Sequence, residues 1–216
     1  MTHKEYLVQR LAGSTPIPID GAGKSPAWAA ARALDDFSFP WLDAVAPATR
    51  FRALWDSQYF YFFFEAADTD IVLAQGADAK ERVIGSDRVE IFFATGHDLQ
   101  PYYGLEVDPR GEVLDYRGRY HRLIEWDWSC AGLEFQSRQN AQGYTVEGRI
   151  ALTSLQQLGC LHEDEKGQYL IAGLFRAEFS LDDKQQTIQN WIAWVDPQVA
   201  DPDFHVPSAF GHLRLS

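Results

Sequence analysis

From Pro47 onward the chain is a series of short β-prone runs cut by turn residues, with no amphipathic helical stretch between them. The most telling run is QYFYFFFEAAD at 58–68, where aromatic residues fall on both alternating faces. Successive strand side chains point to opposite sides, so this run needs apolar cover above and below. It is predicted to be a central strand. PATRFRALWD precedes it across the turn DSQ, which makes the two a hairpin. DRVEIFFA, YYGLEVD and GEVLDYR follow, the last two parted by PRG. GLEFQSRQ and GYTVEGRIAL then flank NAQ, and YLIAGLFRAEFS, NWIAWV and HLRLS complete the series. About ten strands at spacings of roughly 8 to 15 residues predict an all-β fold. The expected form is an antiparallel β-sandwich, with immunoglobulin-like or jelly-roll-like layers and very little helix. The helices that an α/β fold needs between its strands are missing. The expected helical pieces are a patch at Ala27–Leu34 and a short turn in TSLQQLG capped by Thr153. Residues 1–45 read as an irregular extension packed on a sandwich domain spanning 46–216.

With 14% aromatic residues, the chain has ample apolar area for one core. Its 31 acidic residues outnumber 19 basic ones, for a net charge of -12. That balance repels phosphate backbones and anionic membranes, so neither nucleic acid nor a membrane is an expected partner. It suits a neutral ligand or a cation. MTHKEYLVQRLAG lacks the apolar centre of a signal peptide, so the expected location is cytoplasmic, or secreted if the chain is a processed form. Cys130 and Cys160 allow a single pair, and spacing does not decide whether they meet.

The strand DRVEIFFA raises the functional question. Alternation puts Asp87, Val89, Ile91 and Phe93 on one face and Arg88, Glu90 and Phe92 on the other. On YYGLEVD, Glu106 shares a face with Tyr102, and Tyr103 lies next to it in sequence. If the two strands are neighbours, Glu90 and Glu106 converge. Arg176 and Glu178 share a face of YLIAGLFRAEFS. Carboxylates and an arginine orient sugar hydroxyls, and rings pack on the apolar face of a pyranose. The candidate carbohydrate contacts are therefore Arg88, Glu90, Tyr103, Glu106, Arg176, Trp194, Phe204 and His205. The competing reading is a polar sheet face held by ion pairs, each worth about 0 to 1 kcal/mol when exposed. Asp87 is expected at a strand end, accepting backbone N–H bonds or binding an ion. Glu147 is expected to be solvated or paired with Arg149.

Calcium needs six to eight oxygens. Asp68 and Asp70 in one acidic stretch, and Asp201 and Asp203 in another, are the candidate ligands. The histidines show neither H-E-x-x-H nor H-x-H spacing, so no zinc or copper site is expected. Nucleophile-elbow, P-loop and dinucleotide patterns are absent.

In order, LWDSQYFYFFFEAAD, DRVEIFF, YYGLEVDPRGEV, GYTVEGRIALTSL, WVDP and PSAFGHLRL resemble the family 9 carbohydrate-binding modules, relatives of DOMON-type sandwiches. The resemblance runs from about Ala48 to the C-terminus. It implies a β-sandwich that binds sugars, often at chain ends, and that commonly carries structural calcium. Members that grip sugar place one tryptophan three residues before the aspartate of D-x-V-E and another shortly before P-s-x-F-G; here those positions hold Ile84 and Phe204. The function expected is non-catalytic recognition of a mono- or oligosaccharide on a sheet face or loop rim. The alternatives are a structural or interaction module that has lost the sugar site, and a glycoside hydrolase using Glu90 and Glu106.

Overall fold

The computed structural model describes residues 3–13 and 15–216. Its strands are β1 Glu5–Arg10, β2 Thr49–Trp55, β3 Tyr59–Ala67, β4 Arg88–Ala94, β5 Tyr102–Val107, β6 Val113–Arg119 and β7 Leu123–Glu125. They continue with β8 Leu133–Asn140, β9 Gly143–Ala151, β10 Leu161–Asp164, β11 Gly167–Leu181, β12 Thr187–Ala193 and β13 Gly211–Leu215. Two short helices interrupt them, α1 Ala79–Ile84 and α2 Leu152–Gln157. The all-β expectation holds.

The strands form a single path in the order β7-β6-β5-β4-β11-β13-β1-β2-β3-β9-β8, with β10 and β12 attached to β11. The expected purely antiparallel sandwich does not describe this path. It is a mixed sheet that curls on itself, because β1 runs parallel to both of its neighbours. Glu5 to Val8 pair with His212 to Leu215, and Gln9 and Arg10 pair with Leu54 and Trp55. The remaining pairs on the path are antiparallel. The hairpins β2–β3 and β8–β9 form as the turn residues predict.

One core fills the space inside the curl. Phe51, Phe60, Phe64, Val146 and Ile150 from one arm meet Ile91, Phe93, Leu170, Leu174 and Leu213 from the other. Phe60 and Phe93 touch edge to face at 5.9 Å. Burying each such ring contributes about 1.5–3 kcal/mol, so the aromatic run of β3 is the main apolar wall. A second cluster lies on the outside of the β4–β5–β11 arm. There Phe92, Tyr102, Tyr116 and Phe175 are covered by Phe204, Val206 and Phe210 of the C-terminal loop.

Residues 5–10, expected within an irregular extension, are thus the strand that joins the arms. The helical patch expected at Ala27–Leu34 shrinks to one 3₁₀ turn, Pro26–Ala29. The second helix begins at Leu152 with no side-chain cap, so Thr153 lies inside it. Both cysteines are free thiols, and burial pushes each up to about 12.

Glu147 departs furthest from its expected role. It is neither solvated nor paired with Arg149, which bonds Glu134 instead. Glu147 is fully buried under the N-terminal segment. Its Oε2 accepts the backbone N–H groups of Asp20 (3.0 Å) and Gly21 (2.8 Å), and its Oε1 accepts Trp28 Nε1–H (2.7 Å). Tyr61, Phe63 and Trp28 form the apolar wall around it. One carboxylate therefore ties residues 20–28 to β9. With the Gly23 N–H, which also reaches Oε2 at 3.4 Å, replacing Glu147 with Ala leaves four donors without an acceptor. Each hydrogen bond to a charged group is worth about 1.5–3 kcal/mol, so the variant is expected to lose at least about 3 kcal/mol. Urea denaturation measures this loss, and limited trypsin digestion is expected to cut faster at Lys24. Glu134→Ala, at an exposed position, is expected to leave both nearly unchanged.

Candidate functional site

The outer face of β4, β5 and β6 is shaped by an alternation of tyrosine and glycine. Register sets Tyr102 opposite Gly118, and Gly104 opposite Tyr116. A Cβ at Gly104 would lie 2.3 Å from Tyr116 Cζ, and one at Gly118 would lie 2.2 Å from Tyr102 Cζ. Only glycine lets each phenol ring lie across the neighbouring strand. Tyr116 then donates to Glu106 Oε1 at 2.8 Å, and the Tyr102 hydroxyl lies 2.7 Å from His205 Nδ1.

Glu90 and Glu106 are directly paired across β4 and β5, as their faces predict. Arg88 stands beside them, and all three are nearly inaccessible to solvent. The Arg88 Nε–H is directed at Glu106 Oε2, 2.5 Å away. Glu90 Oε1 lies 3.1 Å from the same nitrogen but accepts no hydrogen bond. One cation thus faces two carboxylates. Burial, and then the neighbouring Glu106 charge, push Glu90 up to about 8. This shift favours the protonated form of Glu90, whose carboxyl then both donates and accepts.

These groups form the floor of a cavity of about 80 Å³. Its walls include Trp41, Trp191 and Arg122, with Asp203, Phe204 and His205 from the C-terminal loop. Asp203 holds that loop in place. It accepts from the His205 backbone N–H at 2.8 Å and from Arg122 Nε–H at 3.1 Å, and it lies 2.8 Å from His121 Nε2. Phe204 stacks on Phe175 at 4.1 Å and is only 5% exposed, so it is a packed wall more than an open platform. Burial, and then the Arg122 charge, lower His205 to about 4, which leaves a neutral ring at the pocket.

Of the sequence candidates, Arg88, Glu90, Glu106, Phe204 and His205 come together here. Tyr103, Arg176 and Trp194 do not, because the strand pleat turns them inward. Tyr103 packs on Trp128 within the main core. Trp194 is 2% exposed in that same core, with Lys4 over its ring. Arg176 is fully buried, donating to the carbonyl of Ala67 and to Asp68. Trp41, Arg122 and Trp191 are the pocket residues that the sequence reading missed. Trp41 lies in the segment read as irregular, and Arg122 lies in a turn. Trp191 was in a recognised strand, and pairing of β12 with β11 is what brings it to this face.

Asp87 behaves as its strand-end position predicts. It accepts the backbone N–H groups of Val72 (2.5 Å) and Phe179 (2.6 Å). Burial raises it to about 7. The acidic candidates for calcium separate. Asp203 is engaged at the pocket, and Asp201 is exposed. Asp68 and Asp70 meet Glu178, with carboxylate oxygens within 4.8 Å of one another. Arg176 lies against two of the three, 3.3 Å from Asp68 and in contact with Glu178. Three bidentate carboxylates offer at most six oxygens, the lower limit of what calcium takes, and the Arg176 guanidinium already supplies a positive charge to two of them. As they stand, these residues form an ion cluster centred on Arg176.

The family model described as "Carbohydrate family 9 binding domain-like" matches residues 19–216. A solved structure from Bacteroides uniformis ATCC 8492, described as a "putative carbohydrate-binding protein", superposes with a TM-score of 0.76 at 16% identity, covering 100% of both chains. A family 9 carbohydrate-binding module from Caldicellulosiruptor kristjanssonii in complex with glucose gives 0.57 at 21% identity, over 99% of this chain and 96% of that one. The same organism's module in complex with cellotriose gives 0.58 at 20%, over 98% and 93%. At these identities the likeness establishes the fold. No curated protein matches the chain.

The raised Glu90 pKa has a measurable consequence. The ordinary value is 4.5 and the folded value about 8, so the folded chain holds a proton that the unfolded chain releases between them. This contribution is complete below about pH 4.5 and is lost as pH rises toward 8. His205, lowered to about 4, acts oppositely and at lower pH: its contribution is lost as pH falls from about 6.5. Between about pH 6.5 and 8.5 the wild-type melting temperature is therefore expected to fall. Glu90→Gln, which cannot ionise, is expected to fall less steeply. Equal slopes would mean that Glu90 is already ionised in the folded protein.

Proposed function

This chain belongs to the carbohydrate family 9 binding domain-like family, and from that premise we propose that it is a non-catalytic carbohydrate-binding protein whose ligand enters between Trp41 and Trp191. The observation that carries this reading is the buried Glu90 oxygen without a hydrogen-bond partner at the pocket floor. A buried polar atom left unpaired costs about 1–3 kcal/mol, and a ligand hydroxyl removes that cost. Indole rings at the wall suit the C–H face of a pyranose. A cavity of about 80 Å³ is far below the roughly 300–1,000 Å³ of pockets that engulf a ligand. It takes the end of a sugar chain, with the remainder outside. The glucose and cellotriose bound by the Caldicellulosiruptor kristjanssonii module support a gluco-configured end.

The floor argues against hydrolysis. A glycosidase sets two carboxyl groups on either side of the scissile bond, with one free to act as base or nucleophile. Here both acids lie side by side on one floor. Glu106 has Oε2 held by Arg88 and Oε1 by Tyr116, so neither of its oxygens is free to attack. The alternative of a structural module draws on the buried Phe204 and on Ile84 at the usual tryptophan positions.

Tryptophan fluorescence or calorimetric titration with glucose, cellotriose and xylo-oligosaccharides separates these readings. Saturation is expected with Kd between micromolar and millimolar, or about -8 to -4 kcal/mol. Trp41→Ala is expected to weaken it about tenfold, close to the roughly 0.5–1.5 kcal/mol of a ring contact. Glu90→Ala should weaken it at least as much. A flat response across the panel supports the structural module, and release of sugar from an aryl glycoside supports the hydrolase.

A further inference from the structure

Three histidines that are distant in sequence meet near the start of β13, apart from the pocket. His3 precedes β1, His97 sits in the β4–β5 loop, and His212 is on β13. The parallel pairing of β1 with β13 places Glu5 opposite His212 and so brings the N-terminal segment to this end of the strand. Candidate ligand atoms of the three rings all lie within 4.8 Å of one another. The Nε2 atoms of His97 and His212 are 3.3 Å apart. Zinc holds imidazole nitrogens at about 2.0–2.1 Å, which in a tetrahedron sets two of them about 3.3 Å apart. The other ring nitrogen of His212, Nδ1, is 3.9 Å from Glu5 Oε1.

We propose that His97, His212 and His3 form a binding site for a borderline divalent transition-metal ion such as zinc. His212 is 9% exposed and fixed on a strand, and with His97 it gives the preset pair. His3 is exposed and stacks on His97, with ring centroids 4.1 Å apart and planes 12° apart. Stacked rings do not aim their nitrogens at one point, so His3 turns about its side chain to become the third ligand. The fourth position is left to water. Imidazole donors favour zinc, copper and nickel over calcium and magnesium. His162 is not a ligand, because its Nε2 lies 3.2 Å from the carbonyl of Ala94. The expectation of no zinc or copper site rested on spacing along the chain, which does not register a site assembled from three separate segments.

Isothermal titration of the untagged full chain with zinc chloride tests this. One saturable site per chain is expected, with Kd in the micromolar range or tighter and no heat from calcium or magnesium chloride. His97→Ala and His212→Gln are each expected to weaken zinc binding at least tenfold, while His162→Ala and Trp41→Ala leave it unchanged. Circular dichroism checks that each variant is folded. His97→Ala, at an exposed position, decides the outcome if His212→Gln does not fold. Absence of saturation at millimolar zinc, or full affinity in folded His97→Ala, overturns the proposal. Loss of the sugar response in Trp41→Ala does not bear on it.

Discussion

The fold depends on the place of β1 between two strands that run parallel to it. Its first four residues pair with β13 and its last two with β2, so a six-residue strand is shared by both arms. Backbone bonds continue at each end: Arg10 N–H reaches the carbonyl of Ser216, Leu11 N–H that of Trp55, and His212 N–H that of Lys4. Tyr6 and Val8 point into the core from the joint, and the Tyr6 hydroxyl reaches the carbonyl of Arg32. Passing one strand from arm to arm bends the path around a single core. It also leaves the outer face of β4, β5 and β11 to be covered by loops instead of another sheet. A loop-covered face can hold a pocket, whereas a sheet-covered face is filled by packing.

The same charge pattern occurs on both sides of the β4–β11 pair. Arg88 stands opposite Ala177, and Arg176 stands opposite Val89, so the two guanidinium groups point to opposite faces of adjacent strands. Each meets two carboxylates: Glu90 and Glu106 outside, Asp68 and Glu178 inside. On each side burial leaves one acid raised to about 8, Glu90 outside and Glu178 inside. Breaking such a buried pair by removing one partner is costly, which is why each arrangement is locked. Access separates the two sides. The inner arginine is held by Thr49, the carbonyl of Ala67 and the Tyr144 ring, while the outer trio, itself nearly buried, lines a small cavity beside Trp41 and Trp191. Chemistry that is structural on one face becomes available to a ligand on the other.

What the sequence made legible follows from the length of each run. β4, β5, β9 and β11 run over six or more residues, and their faces can be read from alternation; Glu90 and Glu106 then meet on condition that β4 and β5 are neighbours, which the register supplies. β1 alternates too, but Tyr6 and Val8 alone carry its apolar face, too little to stand out from a polar leader. Arg176 and Trp194 were placed on the ligand side because composition suggested polarity and rings there. Direction on a strand is relative to its neighbour, and the register Arg176↔Val89 decides it. Glu147 was misread for a related reason: the segment that buries it is more than a hundred residues away, and its own neighbours on β9 look solvated.

The ring positions bear most directly on how a ligand would lie. Ile84 ends α1 and is 49% exposed, with its carbonyl accepting from Arg88 Nη1 at 3.1 Å, so this position still stands beside the acidic floor. A tryptophan there would have projected over the floor from the α1 side. In its absence, the exposed ring on that flank is Trp126, which follows β7 and leans on Tyr116 at 5.4 Å. On the opposite flank Phe204 is held flat against Phe175, and Trp41 and Trp191 contact it at 5.7 and 5.9 Å. Aromatic surface has thus moved from the two usual positions to residues near them, without moving the charged floor. On the proposed reading, hydroxyl recognition falls to the floor of Glu90, Glu106 and Arg88, and ring contact to Trp41 and Trp191 at the walls.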